Sequence, residues 1–393
     1  MQNFEYYSPC KIVFGRGAED AVARELAHYG AGRVLIVFGG GSVLKSGLLQ
    51  RIEKTLDEAG IQHQAFGGAK PNPLVSHARD GVKKAIAFQS DFILAVGGGS
   101  TIDTAKAIAH GAANPETDIW EFWLKKVPLT QSLPIGSVLT IPAAGSETSD
   151  SAVLTNEETG EKRGLSTNFN VPKLAFMNPE LTFTLSDFQV TCGITDIMMH
   201  TLDRYFTHTK GNELTDAIAE AVLRTVIKNG AAAVKNHQDY EAMSELMWCG
   251  SISHNRMTGL GAETDFSTHK LGHELSALFD VAHGASLSAV WGSWASYVYR
   301  EEPERFALYG ERVWGIRKAS TEKTAVAAID ATIDYFRSIH APVSFTELGI
   351  GVQKDETLRA LAHACTSKTG GKTGFFKRLT EDDVYEIYRA ANH

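Results

Sequence analysis

Two stretches in the second half of the chain carry histidine and carboxylate at metal-ligand spacing. In Gly193-Ile-Thr-Asp-Ile-Met-Met-His-Thr-Leu-Asp203, Asp196 and His200 stand at i and i+4. Four residues advance a helix by about 400°, so the two side chains emerge within roughly 40° of each other. A carboxylate and an imidazole so placed can ligate one divalent ion. Thr268-His-Lys-Leu-Gly-His-Glu274 puts His269 and His273 on one face by the same geometry, and His283 follows a break near Asp280. Asp196, His200, His269 and His283 would offer one oxygen and three nitrogens, a set suited to Fe(II), Zn(II) or similar ions. The order His-Lys-Leu-Gly-His-Glu is not the HExxH of a zincin helix, where the glutamate stands between the ligands. His208, His237, His254 and His340 lack partners at such spacing and read as surface or satisfied structural residues. A histidine pair one turn apart also occurs on ordinary helix faces, so the set needs support from elsewhere in the chain.

That support comes from two glycine turns, Gly39-Gly-Gly-Ser42 and Gly97-Gly-Gly-Ser100, each at the end of an apolar run of strand length. Glycine lets backbone N–H groups approach a ligand without a Cβ in the way, and a following helix N-terminus adds oriented donors that suit phosphate. Neither turn is GxGxxG, and there is no GxxxxGK[ST]. A dinucleotide site selective for NAD usually presents Asp or Glu near the strand end, to hold the ribose 2′-OH. Here Phe38 leads into Gly39, Gly40, Gly41 and Ser42, with Lys45 following. Ser42, the free N–H groups and Lys45 could instead hold a 2′-phosphate, which points to NADP(H) rather than NAD(H).

The elements that must position these residues differ between the two halves. Residues 33–38 and 91–96 are apolar strands, 61–66 reads as another, and 48–58, 75–88 and 101–109 have helical spacing. Buried strands alternating with helices predict a Rossmann-like parallel sheet covered on both faces. Residues 4–15 read as a strand or hairpin before the first helix. From about residue 186 the stretches 188–209, 213–235, 240–259, 284–300, 321–340 and 379–391 are all helical in period. Ile218, Val222, Leu223 and Val226 mark one such stripe. The expected organisation is an α/β nucleotide-binding domain over 1–185 and an all-helical, metal-bearing domain over 186–393.

Composition excludes several other classes. The 393 residues are 43% hydrophobic and 21% charged, ordinary for a globular chain and inconsistent with disorder or a collagen-like repeat. No apolar run reaches the roughly 18 residues that a membrane span requires, and the N-terminus lacks the pattern of a secretory signal. A formal charge of −8 without a basic run disfavours nucleic acid. Cys10, Cys192, Cys249 and Cys365 form no CxxC pair, so neither a thiolate zinc site nor a disulfide framework is expected. A reducing cytoplasm fits them.

Taken together, the motifs resemble the iron-dependent (group III) alcohol dehydrogenase family, in particular its NADPH-dependent butanol dehydrogenase and aldehyde reductase branch. The resemblance runs over nearly the whole chain, through Phe14-Gly-Arg-Gly-Ala18, both glycine turns, Pro71-Asn-Pro73, Thr101-Ile-Asp-Thr-Ala-Lys106, Gly145-Ser-Glu147, and the aspartate and histidines above. It implies a dehydroquinate synthase-like architecture and metal ligation by Asp196, His200, His269 and His283. It makes His273 the non-ligand histidine near metal and nicotinamide. Gly97, Gly98, Gly99 and Ser100 match the pyrophosphate loop, Asp103 the acid beside it, Thr140 a cofactor-contacting threonine and Lys162 a lysine near the nicotinamide ribose. Thr182 and Leu185 match positions packed around the nicotinamide half. A homodimer paired through the N-terminal strand is also implied. The sequence departs from the family pattern at Ala143 and Ala144, at Ser186-Asp187, at Ile197 and at Asp203, where a glutamate is usual.

The implied reaction is reversible hydride transfer between NADP(H) and an alcohol–aldehyde pair in a cleft between the domains. The metal would act as Lewis acid, and His273 either as proton relay or as a packing and hydrogen-bonding neighbour of substrate. Two other readings use the same residues. A sugar-cyclising lyase of dehydroquinate synthase type would need Lys and Arg around the metal, and only Arg204, Arg256 and Lys270 are near in sequence. A metallohydrolase would need no dinucleotide.

Overall fold

The computed structural model describes residues 1–393. The chain folds as two compact units, Tyr7–Leu185 and Ser186–His393, the second also taking up Met1–Tyr6. The first six residues thus go with the helical unit rather than with residues 7–185. The Met1 ammonium donates to the Lys210 carbonyl at 2.8 Å and Gln2 N to the Gly261 carbonyl at 2.8 Å. These bonds hold the start of the chain on the helical unit.

In the α/β unit the strands are β1 (Lys11–Phe14), β2 (Arg33–Phe38), β3 (Gln62–Phe66), β4 (Phe92–Gly97), β5 (Ile135–Leu139), β6 (Ser151–Asn156), β7 (Glu161–Ser166) and β8 (Leu174–Met177). Six of them form one sheet in the order β1-β8-β5-β4-β2-β3, and every pairing in it is parallel. β6 and β7 form a separate antiparallel hairpin. The helices are α1 (Val22–His28), α2 (Gly41–Lys45), α3 (Leu48–Glu58), α4 (Val75–Phe88), α5 (Gly99–Ala113) and α6 (Ile119–Trp123). Val34, Ile36, Leu94, Val96 and Phe176 on one sheet face pack with Leu26, Leu49, Ile52 and Leu56. Each such side chain contributes about 1.5–3 kcal/mol when fully buried. The expected strand or hairpin over 4–15 reduces to β1, because residues 4–9 are exposed and pair with no strand.

The second unit holds α7 (Asp187–Tyr205), α8 (Glu213–Lys235), α9 (Tyr240–His254), α10 (Ser267–Phe279), α11 (His283–Val298), α12 (Pro303–Tyr309), α13 (Thr321–Ser338), α14 (Asp355–Ser367) and α15 (Glu381–Ala391). A short ladder joins β9 (Lys372–Thr373) and β10 (Leu379–Thr380). The stretch 240–259 is not one helix: α9 ends at His254, and Arg256 takes a left-handed φ of 76° before a 3-10 turn over Met257–Gly259. Polar Thr207, His208 and Thr209 follow the end of α7, so the expected 188–209 stops at Tyr205. No helix is long and apolar enough to cross a membrane.

Candidate functional site

α7 carries the first part of the site. A reciprocal Ser186–Gln189 capping box starts it, and from Val190 to Tyr205 almost every side chain is buried. Buried threonines satisfy themselves locally, as Thr195 Oγ1 does on the Thr191 carbonyl at 3.0 Å. Asp196 and His200 emerge on one face, with Asp196 Oδ1 3.3 Å from His200 Nδ1. α10 brings His269 Nε2 to 3.9 Å from the same oxygen, and α11 begins at His283, whose Nε2 lies 3.8 Å from it. The Asp196, His200 and His269 ligand atoms all lie within 4.8 Å of one another. His273 stands one turn beyond His269, its ring centroid 5.1 Å from that of His283. All five sequence-predicted residues thus converge.

Their chemistry fits a divalent ion. Ligand atoms about 2.0–2.2 Å from a tetrahedral centre stand roughly 3.3–3.6 Å apart, close to the spacings around Asp196. His200 Nδ1 and His269 Nε2 are buried without a hydrogen-bond partner. Such atoms are costly unless something accepts their lone pairs. Burial, reinforced by His254, His269 and Arg204, pushes His200 well below the ordinary imidazole range, which keeps it neutral and able to ligate.

Three residues at the site were named from sequence but given no role in it. His254, set aside above as a surface or structural residue, lies against His200 with ring centroids 3.9 Å apart. Asp203 is fully buried, its Oδ2 2.6 Å from His269 Nδ1. Arg204 donates to the His200 carbonyl at 2.7 Å and covers the Phe266 ring at 4.7 Å. Asp203 and Arg204 had a legible signal, an adjacent charged pair one turn beyond His200 in a helix whose other residues from Val190 on, Asp196 and His200 apart, are uncharged.

The glycine turns sit at the carboxyl ends of β2 and β4, which are neighbours in the sheet. The chain proceeds outward from β2 to β3 and then returns to the other side of β2 with β4. Both turns therefore occupy the topological switch point, where ligands bind in open α/β sheets. Gly40 and Gly98 are the N-caps of α2 and α5, and no side chain caps either helix. Thr101 wedges between the turns, with its Oγ1 3.3 Å from where a Gly39 Cβ would stand and 2.5 Å from where a Gly97 Cβ would stand. Gly41 and Ser42 are exposed at the start of α2, as is Lys45 at its end. Ser100 lies in the first turn of α5, and Thr140 N donates to the Gly97 carbonyl at 3.1 Å beside it.

Asp103 accepts from Ser146 Oγ at 2.5 Å and Val153 N at 2.9 Å, so it anchors the 146–153 segment on α5. Lys106, one turn further and fully buried, donates to the carbonyls of Ser146 at 2.8 Å and Ser151 at 2.7 Å. Sequence reading quoted Lys106 without a role. A lysine framed by alanines on a helix was the available signal. Lys162, paired opposite Thr155 in the hairpin, donates to Asn72 Oδ1 at 3.0 Å and so joins the hairpin to the Pro71-Asn72-Pro73 turn. Thr182 and Leu185 lie after β8, where Thr182 Oγ1 donates to the Pro179 carbonyl at 2.6 Å and Leu185 N to the Thr182 carbonyl at 3.0 Å.

A parallel nucleotide-type sheet with glycine turns at its switch point, and a helical unit with a buried Asp–His cluster, define a class of metal-dependent oxidoreductases. Residues 9–179 match the family described as iron-containing alcohol dehydrogenase, and 190–392 match its C-terminal part, described as Fe-containing alcohol dehydrogenase family, C-terminal. NADH-dependent butanol dehydrogenase A of Clostridium acetobutylicum is 38% identical over 99% of both chains. NADPH-dependent aldehyde reductase YqhD of Escherichia coli is 34% identical over 100% of both. The crystal structure of NADH-dependent butanol dehydrogenase A from Thermotoga maritima superposes with a TM-score of 0.95 at 34% identity, covering 100% of this chain and 99% of that one. The chain belongs to the iron-containing alcohol dehydrogenase family and is an alcohol oxidoreductase with a dehydroquinate synthase-like fold.

Proposed function

We propose that this chain catalyses reversible hydride transfer between NADP(H) and a primary alcohol–aldehyde pair, with one divalent ion, Fe(II) or Zn(II), held by Asp196, His200, His269 and His283. The observation that carries the reading is the buried cluster of Asp196, His200 and His269 on α7 and α10, with His283 at the start of α11 beside it. When bound, the ion supplies a Lewis acid that favours negative charge on the substrate oxygen. The burial of Asp196, His200 and His269 excludes water from their side of the centre. That strengthens electrostatic stabilisation. His273 is the non-ligand imidazole that passes the alcohol proton onward.

On the α/β unit, the uncapped N–H groups at Gly98, Gly99 and Ser100 bind the pyrophosphate, with Thr140 beside them. Gly39, Gly40, Gly41 and Ser42 bind the adenosine ribose, and Lys45 contributes charge there. No acid stands at the end of β2 to repel a 2′-phosphate or to bind a 2′-OH. This favours NADP(H), the cofactor named for the aldehyde reductase YqhD, although the butanol dehydrogenases above are named for NADH. Asp103 and Lys106 shape the loop, while Lys162, Thr182 and Leu185 serve the nicotinamide half. The protein is proposed to act as a cytoplasmic homodimer, its four cysteines being free thiols.

The test is an aldehyde panel assayed with NADPH and NADH on protein reconstituted separately with Fe(II) and Zn(II). Reduction of linear aldehydes with the lower KM for NADPH is expected. Turnover of a hydrolysable ester or phosphate by the metal-loaded protein without nicotinamide would favour the hydrolase reading instead.

A further inference from the structure

We propose that Asp203 is a positioning residue that fixes the tautomer and ring orientation of His269, and thereby sets how tightly the metal is held. The inference rests on the metal-centre reading above. Asp203 lies two turns beyond Asp196 on α7 and is fully buried. Its Oδ2 stands 2.6 Å from His269 Nδ1 and 3.3 Å from the His269 backbone nitrogen. One oxygen therefore accepts from both N–H groups of the same residue, which pins the ring as well as its proton. With the proton on Nδ1, the lone pair is on Nε2. That nitrogen is buried, has no hydrogen-bond partner, and faces Asp196 Oδ1 at 3.9 Å. Without the acceptor the proton can sit on Nε2, and that tautomer offers an ion nothing.

The backbone reinforces the arrangement. Asp265 N donates to the Asp203 carbonyl at 2.9 Å, tying the residues before α10 to the end of α7. The Asp265 carboxylate in turn accepts from Ser267 N at 2.7 Å in the first turn of α10, and from Phe375 N and Phe376 N at 2.6 Å. The start of α10 is thus held from two sides, and Asp203 meets His269 at a fixed height. Carboxylates behind ligating histidines raise ligand basicity, and their loss costs about 10–100-fold in metal affinity.

The experiment challenges Zn(II)-loaded wild type, Asp203→Ala, Asp203→Asn and His269→Ala with a chromophoric chelator and records thermal unfolding of each. Asp203→Ala is expected to hold Zn(II) about 100-fold more weakly than wild type. Asp203→Asn, whose amide oxygen still accepts a hydrogen bond from His269 Nδ1–H, is expected to fall between the two. A role confined to helix packing would lower the melting temperature and leave affinity alone. Asp203→Ala that melts cooperatively and keeps wild-type affinity would overturn the proposal. Should Asp203→Ala fail to fold, long-range ¹H–¹⁵N spectra of histidine-labelled, metal-free wild type decide. A proton on His269 Nδ1 supports the proposal, and a proton on Nε2 overturns it. Wild-type affinity in His269→Ala would instead refute the metal centre itself.

Discussion

Gly284→Ala is the sharpest perturbation of the proposed metal centre that touches none of its proposed ligands. Gly284 follows His283 in the first turn of α11, where it meets the backbone of α7. A Cβ at this position would stand 2.1 Å from the Cys192 carbonyl oxygen, 2.8 Å from its carbon and 2.9 Å from its Cα. The first of these is about 1.4 Å short of an optimal non-bonded separation. The obstacle is helix backbone, so α7 and α11 must part by something of that order. Cys192 lies one turn before Asp196, and His283 Nε2 is 3.8 Å from Asp196 Oδ1. Metal–ligand distances tolerate only about 0.2 Å. A shift several times larger would remove His283 from the proposed ion site while leaving the Asp196–His200 pair on α7 intact. The expected stability loss is about 1–3 kcal/mol, as for other overpacked sites. Metal affinity should fall by at least an order of magnitude, measured by chelator competition beside thermal unfolding. Gly40→Ala, where nothing lies within 4 Å of the added carbon, is the packing control for the melting temperature. If Gly284→Ala keeps wild-type metal affinity while His283→Ala loses it, the coupling of helix spacing to ligation is refuted.

Three other outcomes follow from the same geometry. His269→Ala should lose metal and activity together, whereas His273→Ala should retain the metal and lose mainly turnover; metal loss from His273→Ala, read by elemental analysis, would move the ligand assignment. Gly40→Asp should shift the kcat/KM ratio from NADPH toward NADH, by charge repulsion of a 2′-phosphate and acceptance from a 2′-OH, and an unchanged ratio would dismiss that turn as the selectivity element. His110, held by Ser132 Oγ and Asn170 Oδ1 at 2.8 Å each, is pushed by burial from 6.5 down to about 4. The unfolded chain takes up this proton below about pH 6.5 and the folded one does not, so stability is lost as pH falls toward 4, on the order of 3 kcal/mol. Melting temperatures across that window should fall less steeply for His110→Asn, and parallel curves would refute the assignment.

How far the sequence could be read depended on the range of the interaction. Periodicity is local, so α3, α4 and α8 are legible to the residue, and the i, i+4 pairs on α7 and α10 mark candidate site residues before any fold is known. β5, β8 and the β6–β7 hairpin are short or mixed in character, and their pairing partners are distant, so only the assembled sheet reveals them. The same division runs through the site. Asp196 and His200 declare each other along one helix, but Asp203 makes its contact with a residue on another helix. His254 likewise becomes a neighbour of His200 only because α9 packs on α7. Met1–Tyr6 joins the helical unit through two backbone bonds that no side-chain pattern announces.

Glycine shows why a residue type alone cannot separate fold from function. Both GGGS turns suggest close approach by a ligand, yet a Cβ on Gly98 would meet Ile141 Cγ2 at 2.2 Å and one on Gly97 would meet Thr101 Oγ1 at 2.5 Å. The second turn would demand glycine even if no cofactor ever bound, and substitutions there confound packing with affinity. Gly284 is the same case in the helical unit, where close backbone approach serves a site indirectly. Gly40 is different. Nothing crowds it, its φ of −82° suits any residue, and as the N-cap of α2 it would be better filled by Asp or Ser. A glycine where local energetics favour an acid is a residue that packing does not explain. That makes Gly40→Asp a clean reporter of what the turn faces: the substitution should stabilise α2 while weakening NADPH binding, and only a ligand-facing role produces both effects together.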